Sequence, residues 1–357
     1  MRHALIVRPD NAGDVLLAGP AVRAVAATAN RVTFWAGPNG AAAAALLPGV
    51  DDVVVHRADW IDPAAQGVDR DRTMAFVDEL AGRAADEAMV LTSFHQSPLP
   101  AALLLRLAGV GRIAAVCDDF PGALLDVRHR VADDIHEVER ALSLAAALGH
   151  RLPPGDHGGL AVRVPADTAV EVPGGDDLVV VHPGASVPAR AWAPGHHRHV
   201  VAALRADGWR VVVTGGAGER DLTAFVADGI GDLGGRTSLA ELAVLLARSV
   251  AVIAGNTGPA HLAAAVGTPV VSLFAPTVPP VRWRPWGVPH VLLGDMVIAC
   301  AGCRASRCPL PGHPCLDHVS PRHVVDALRR LLADRDVTRP PLVTADRDTV
   351  VATGATT

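Results

Sequence analysis

Four short stretches of the chain place polar or titratable side chains directly behind apolar runs. In IAGNTGPAHLAAAVGTP, residues 253–269, Asn256, Thr257, Gly258 and His261 lie between an apolar run that reads as a strand and an Ala-rich run that reads as a helix. Gly258 leaves the backbone free to turn, and Pro259 suits the first helical position, where its missing N–H costs nothing. His261 then falls in the first helical turn. Free backbone N–H groups and the positive end of the helix dipole make such a mouth a site for an anion such as a diphosphate. The alternative is that Asn256 or Thr257 merely caps the helix.

The other three stretches have the same placement. PDNAGD, residues 9–14, carries Asp14 where a first strand meets its helix. Asp is a favoured helix cap, but a carboxylate there can also take a proton from a hydroxyl. HPGASVPARAW, residues 182–192, offers the Ser186 hydroxyl and the Arg190 guanidinium, a donor fork suited to phosphate. TGGAGERD, residues 214–221, has Gly215, Gly216 and Gly218 for close backbone approach and Glu219 for ribose hydroxyls. It is not G-x-G-x-x-G, which weighs against a nicotinamide enzyme.

CAGCRASRCPLPGHPC puts Cys300, Cys303, Cys308 and Cys315 within sixteen residues, with Cys117 apart. One C-x2-C and two further cysteines allow a structural zinc, although the second C-x2-C is missing. Free thiols or a redox-labile pair are the other readings. Asp69-Arg70-Asp71 matches the D-x-D of metal-binding transferases, but it lies in a charged run and reads as a solvated surface. The run HHRH, 196–199, opens a helix and reads as its wet face.

The elements that must position these turns recur with one rhythm. Apolar runs at 4–7, 32–37, 86–94 and 112–117 are each followed by a turn and a helical stretch. Unbroken rather than alternating apolar runs predict strands covered on both faces, hence parallel sheets. Residues 150–177 are rich in Pro and Gly and read as a linker. The rhythm restarts at 178–184, 211–216, 250–255 and 270–274. This predicts two βαβ domains, 1–165 and 176–335, followed by a flexible polar tail at 336–357. Ligands of such sheets bind beyond the carboxyl ends of the strands, where all four turns fall.

The chain has 357 residues, half of them hydrophobic, and a formal net charge of −5. The charge argues against a basic field for nucleic acid. No window approaches the ~18 consecutive apolar residues of a membrane span, and the N-terminus lacks a secretory signal, so a soluble, cytoplasmic protein is expected. There is no Tyr, and all 32 basic residues are Arg. Tasks that usually fall to Lys must fall to Arg.

Taken together, IVRPDNAGDVLLAGPAVRAV, HPGASVPARAW, VVVTGGAGERDL, the stretch from DLGGRTSLAEL through GNTGPAHLAAAVGTPVVSLFAPT, and RWRPWG resemble glycosyltransferase family 9, the ADP-heptose:lipopolysaccharide heptosyltransferases. The similarity runs from about residue 3 to 330 and is strongest over 178–290. It implies an α/β GT-B fold of two Rossmann-like domains facing a cleft. The donor would be held by the C-terminal domain and the acceptor by the N-terminal one, in an inverting, metal-independent transfer without a cofactor. Asp14 matches the family's general base. Thr257, Gly258 and His261 match the donor diphosphate loop, and Ser186 and Arg190 match its phosphate-contacting hydroxyl and Lys. Glu219 lies near the nucleotide-side Glu. Asn256 departs from the usual family Asp and Arg190 from the Lys.

The expected partners are a nucleotide diphosphate sugar, by default ADP-heptose, and a glycan or glycolipid acceptor. The protein would be a monomer that makes peripheral contact with the inner face of the plasma membrane where the acceptor is a lipid. A GT-B transferase with another GDP- or UDP-linked donor and a different acceptor is the alternative. A non-catalytic nucleotide-sugar binder is the alternative from another class.

Overall fold

A computed structural model describes residues 2–62, 67–171 and 177–333. The tail expected at 336–357 and the linker residues 172–176 lie outside the described residues. The chain divides into two compact units, Met1–Ala161 and Val162–Thr357.

The first unit is built on a parallel sheet of β1 (His3–Arg8), β2 (Arg31–Ala36), β3 (Asp52–Val55), β4 (Glu87–Val90), β5 (Arg112–Val116) and β6 (Val127–His129), in the order β3-β2-β1-β4-β5-β6. Ile6 on β1 is paired with Phe34 on one side and Met89 on the other. All three are essentially inaccessible to solvent. Burying such a side chain contributes roughly 1.5–3 kcal/mol, which fixes β1 at the centre of the sheet.

The second unit repeats this plan with β7 (Leu178–His182), β8 (Arg210–Gly215), β9 (Asp232–Gly234), β10 (Ala251–Gly255), β11 (Val270–Leu273) and β12 (His290–Leu293), in the order β12-β11-β10-β7-β8-β9. Counted from its own first strand, this is the strand order of the first unit. Val181 on β7 faces Ile253 on β10, and Val271 flanks Ile253 on β11. Helices cover both sheets, as unbroken apolar strands require.

The sequence reading misses β3, β6, β9 and β12, all of which are sheet edges. An edge strand pairs on one side only, and these four are largely half-buried. Their apolar runs span at most three residues, as in DVVV and HVLL. The single helix expected after β1 is two, Ala12–Leu17 and Gly19–Ala26, with Pro20 just after the break. Its missing N–H cannot continue the hydrogen-bond ladder.

The segment after residue 150 is fastened down rather than loose. Arg23, 4% exposed, donates to both carboxylate oxygens of Asp156 at 2.6 and 2.9 Å and to the Gly159 carbonyl at 2.8 Å. Leu160, Ala161, Val162 and Val164 are buried. The HHRH run is only partly wet. His197 is 1% exposed and packs edge-on to Trp192 at 5.0 Å.

Candidate active site

In the second unit β7 has β10 on one side and β8 on the other, so crossovers leave it in opposite directions. The carboxyl ends at such a reversal are where open α/β sheets bind ligands. After β10 the chain turns through Asn256 into the helix Gly258–Ala265, with Pro259 as the second helical residue rather than the first. Thr257 is the N-cap residue, but its side chain caps nothing in the helix. Its Oγ1 donates instead to the Gly255 carbonyl at 3.4 Å. Asn256 is 3% exposed, and its amide nitrogen Nδ2 has no hydrogen-bond partner. A buried donor left unsatisfied costs about 1–3 kcal/mol. The capping alternative therefore fails for the Thr257 side chain and does not account for Asn256. His261 is buried behind the same mouth, at 3% exposure.

Arg190 comes to this mouth from the loop after β7. Its Nε–H donates to Thr277 Oγ1 at 3.3 Å, and Thr277 follows β11. Its carbonyl oxygen lies 3.4 Å from where a β-carbon on Gly255 would stand. Ser186 is exposed on the same loop.

On the other side of β7, Glu219 ends a short 3-10 turn after β8 and accepts the Gly216 N–H at 2.7 Å. Its second neighbour is His182, whose Nε2 is 3.9 Å away while Nδ1 bonds Thr214 Oγ1 at 3.0 Å. Burial pushes the His182 pKa down to about 4, against the opposing pull of Glu219. The imidazole is therefore neutral at physiological pH. Sequence reasoning missed His182 and Thr277. Both stand in stretches already singled out, one at a strand's last residue and one just past another.

In the first unit Asp14 lies in the first turn of Ala12–Leu17, whose N-cap residue is Asn11. Asp14 is not the cap. Its Oδ1 accepts from Arg8 Nη2 at 3.0 Å. Arg8 is 4% exposed, and its guanidinium also pairs with Asp10 through Nε at 2.7 Å and with Glu137 through Nη1 at 3.6 Å. Burial alone would lower the basicity of Arg8, but Asp10, Asp14 and Glu137 together hold it above its ordinary value. Burial pushes the Asp10 pKa up to about 6, with Asp14 and Glu137 adding to the rise and Arg8 and Gln96 opposing it. Arg8 and Asp10 were legible only as charges at the end of an apolar run. Glu137 and Gln96 carry no local signal.

All five cysteines are free thiols. Cys315 is buried, and its pKa is pushed up to about 11 by burial first and then by Cys308, Cys300 and Cys303. Among the described residues no group of three or more His, Cys, Asp or Glu is arranged to hold a metal ion. Asp69 caps the helix Arg70–Gly82 by accepting the Arg72 N–H at 2.8 Å, and Arg70 and Asp71 are fully out in solvent.

Two units, each built on a parallel sheet of the same strand order with polar turns at the carboxyl ends of its strands, have the architecture of the GT-B class of fold. The chain belongs to glycosyltransferase family 9 (heptosyltransferase), whose family model matches residues 74–313. It is 31% identical over 320 residues to lipopolysaccharide heptosyltransferase 1 of Pseudomonas aeruginosa, covering 86% of this chain and 87% of that protein. It is 35% identical over 119 residues to lipopolysaccharide heptosyltransferase 3 of Escherichia coli; this match spans 31% of the chain and about a third, 35%, of that relative's length. The solved structure of E. coli ADP-heptose lipopolysaccharide heptosyltransferase II superposes with a TM-score of 0.70 at 20% identity, over 93% of this chain and 99% of that one.

Proposed function

We propose that the protein is an inverting, metal-independent glycosyltransferase. It moves heptose from a nucleotide diphosphate donor, ADP-heptose, to a lipopolysaccharide-type glycolipid acceptor. The observation that carries the donor half is the buried, unpartnered Asn256 amide beside an uncapped helix mouth. That mouth presents free N–H donors, which suits a diphosphate. Thr257, Gly258, His261, Ser186 and Arg190 complete the anion site in this reading, and Glu219 with Gly216 takes the nucleoside side.

The chemistry follows from charge. The acceptor O–H bond breaks and its proton goes to Asp14. The acceptor oxygen bonds the anomeric carbon on the face opposite the leaving group. The anomeric C–O bond breaks with its electron pair, and the diphosphate leaves. Arg190 and the helix-mouth donors meet the growing negative charge. One such donor is worth about 2.7–4 kcal/mol in a comparable site.

A second reading rests on Asn256. Where the family resemblance leads one to expect a carboxylate, an amide changes the contact offered to the donor, and a different nucleotide sugar becomes the substrate. Among the described residues no helix is long and apolar enough to cross a membrane. We place the enzyme in the cytoplasm as a monomer that meets its lipid acceptor peripherally.

The test is a donor screen by mass spectrometry with heptose-free lipopolysaccharide as acceptor, beside Asp14→Asn. ADP-heptose should be consumed. The variant should bind donor normally and lose ~10²–10⁴-fold in turnover, the range for a general base. Consumption of only GDP- or UDP-sugars would transfer the assignment to the second reading. Full turnover in Asp14→Asn would remove the base.

A further inference from the structure

We infer that Arg8 is the positioning residue of the Asp14 carboxylate, and that Asp10, held by the same guanidinium, sets how firmly Arg8 grips it. The inference rests on the reading of Asp14 as the base.

The geometry is a chain of hydrogen bonds joined by one ion pair. The Ser93 N–H donates to Gln96 Oε1 at 3.0 Å, and Gln96 Nε2 donates to Asp10 Oδ1 at 2.7 Å. That leaves Asp10 Oδ2 to face Arg8 Nε at 2.7 Å. Arg8 Nη2 then donates to Ser93 Oγ at 3.1 Å and to Asp14 Oδ1 at 3.0 Å. The loop after β4 thereby fixes Asp10 through Gln96 and the Arg8 fork through Ser93; Asp10 Oδ2 stands against Arg8 Nε as an ion pair without a hydrogen bond, and the guanidinium aims Asp14. A guanidinium is a rigid fork, so its direction passes from one partner to the next. Side-chain exposure separates the four: 5% for Arg8, 7% for Asp10, 3% for Glu137 and 20% for Asp14. Only Asp14 opens appreciably to solvent.

The charge balance gives this arrangement its consequence. Asp10 next to β1, Asp14 from the helix 12–17 and Glu137 from the helix 137–148 surround one cation. Arg140, one turn beyond Glu137, lines the same small cavity as Arg8 and Glu137. Asp10 competes with Asp14 for Arg8. When Asp10 is ionised it draws the guanidinium toward itself and adds a like charge beside Asp14, so Asp14 pulls harder on an acceptor proton. When Asp10 is protonated Arg8 belongs more to Asp14, which becomes a weaker base. Burial raises the Asp10 pKa to about 6, so the changeover falls near that pH. A purely structural clamp would make no such link, because it needs Arg8 to join elements but not Asp10 to titrate.

The test is a carboxyl-carbon NMR titration of the full chain labelled at aspartate Cγ, with Asp10→Asn and Asp14→Asn assigning the two signals and circular dichroism confirming the fold. In Asp10→Asn the Asp14 midpoint should fall by about one pH unit, because a like charge has been removed. In Arg8→Met it should rise by a similar amount, and Arg8→Lys, which keeps the charge, should return it most of the way. An Asp14 midpoint unchanged in Asp10→Asn overturns the inference. Should Arg8→Met fail to fold, Arg8→Lys and Asp10→Asn still decide it. Acceptor-dependent ADP release from ADP-heptose by Asp14→Asn is measured alongside. If that variant turns over normally, the base assignment fails whatever the titration shows.

Discussion

The carboxyl group of Glu219 fills the space over the α-carbon of Gly184, where any β-carbon would overlap it. The loop after β7 and the turn after β8 are thus fitted to each other at one residue. Gly184→Ala should push Glu219 off the Gly216 N–H and away from His182. In isothermal calorimetry ADP should bind about tenfold more weakly, roughly 1.4 kcal/mol, with little change in Tm. Unchanged ADP affinity would mean that Glu219 does not serve the nucleoside.

Asn256→Asp puts a carboxylate where the buried amide donor now stands, at the same helix mouth. The carboxylate, the group the family resemblance leads one to expect here, accepts rather than donates, so the hydrogen bond that the amide N–H offers the donor is lost. ADP affinity at pH 7.5 should fall about tenfold or more. If the variant binds ADP as tightly as the parent, Asn256 does not face the diphosphate.

The buried histidines make a prediction about acid. Burial, with His182 and His196 adding to it, pushes the His197 pKa down to about 3, and that of His182 is about 4. An unfolded histidine takes up its proton near 6.5. Between those values the unfolded chain binds the extra proton, so stability falls as pH drops below about 6.5. The slope reaches about 1.4 kcal/mol per pH unit for each histidine. His197→Phe keeps the contact with Trp192 and removes one titrating group, so urea unfolding at pH 7, 6 and 5 should show a shallower loss. Parallel curves for parent and variant would refute the assignment to His197.

A clamp in the first unit is open to the same kind of measurement. Arg23→Met leaves the Asp156 carboxylate, 5% exposed, without its cation. Breaking a buried pair on one side costs about 3–5 kcal/mol, and urea unfolding followed by circular dichroism should show a loss of that size. A loss below about 1 kcal/mol would mean that the segment after residue 150 contributes little to the fold.

What could be read from the chain followed burial. Central strands such as VVVH at 179–182 and AVIAG at 251–255 are covered on both faces and declare themselves as apolar runs. The four edge strands, of mostly partly buried residues and with apolar runs of at most three, do not. The site divided the same way. Asn256, Thr257, Gly258, His261 and Glu219 follow strand ends and were legible as a pattern. Arg190 was legible through its loop. Asp10 and Gln96 are joined across 86 positions of sequence, and Arg8 and Glu137 across a still longer span. No local pattern encodes such a pairing, because it exists only once β1 and β4 lie side by side. His197 was misread because an imidazole in a polar run looks wet until Trp192 closes over it.

Each unit carries its first strand inside its sheet, with the order running outward from it in both directions. The platform at 9–14 follows β1 and that at 253–261 follows β10, the strand beside β7, so both adjoin the centre of their sheets, while β3, β6, β9 and β12 stand at the periphery. Altered chemistry at the rims leaves those platforms in place. On the proposed function, retargeting toward a new acceptor or donor base would then be a matter of exchanging peripheral loops, with the frames proposed to take the proton and grip the phosphate kept as they are.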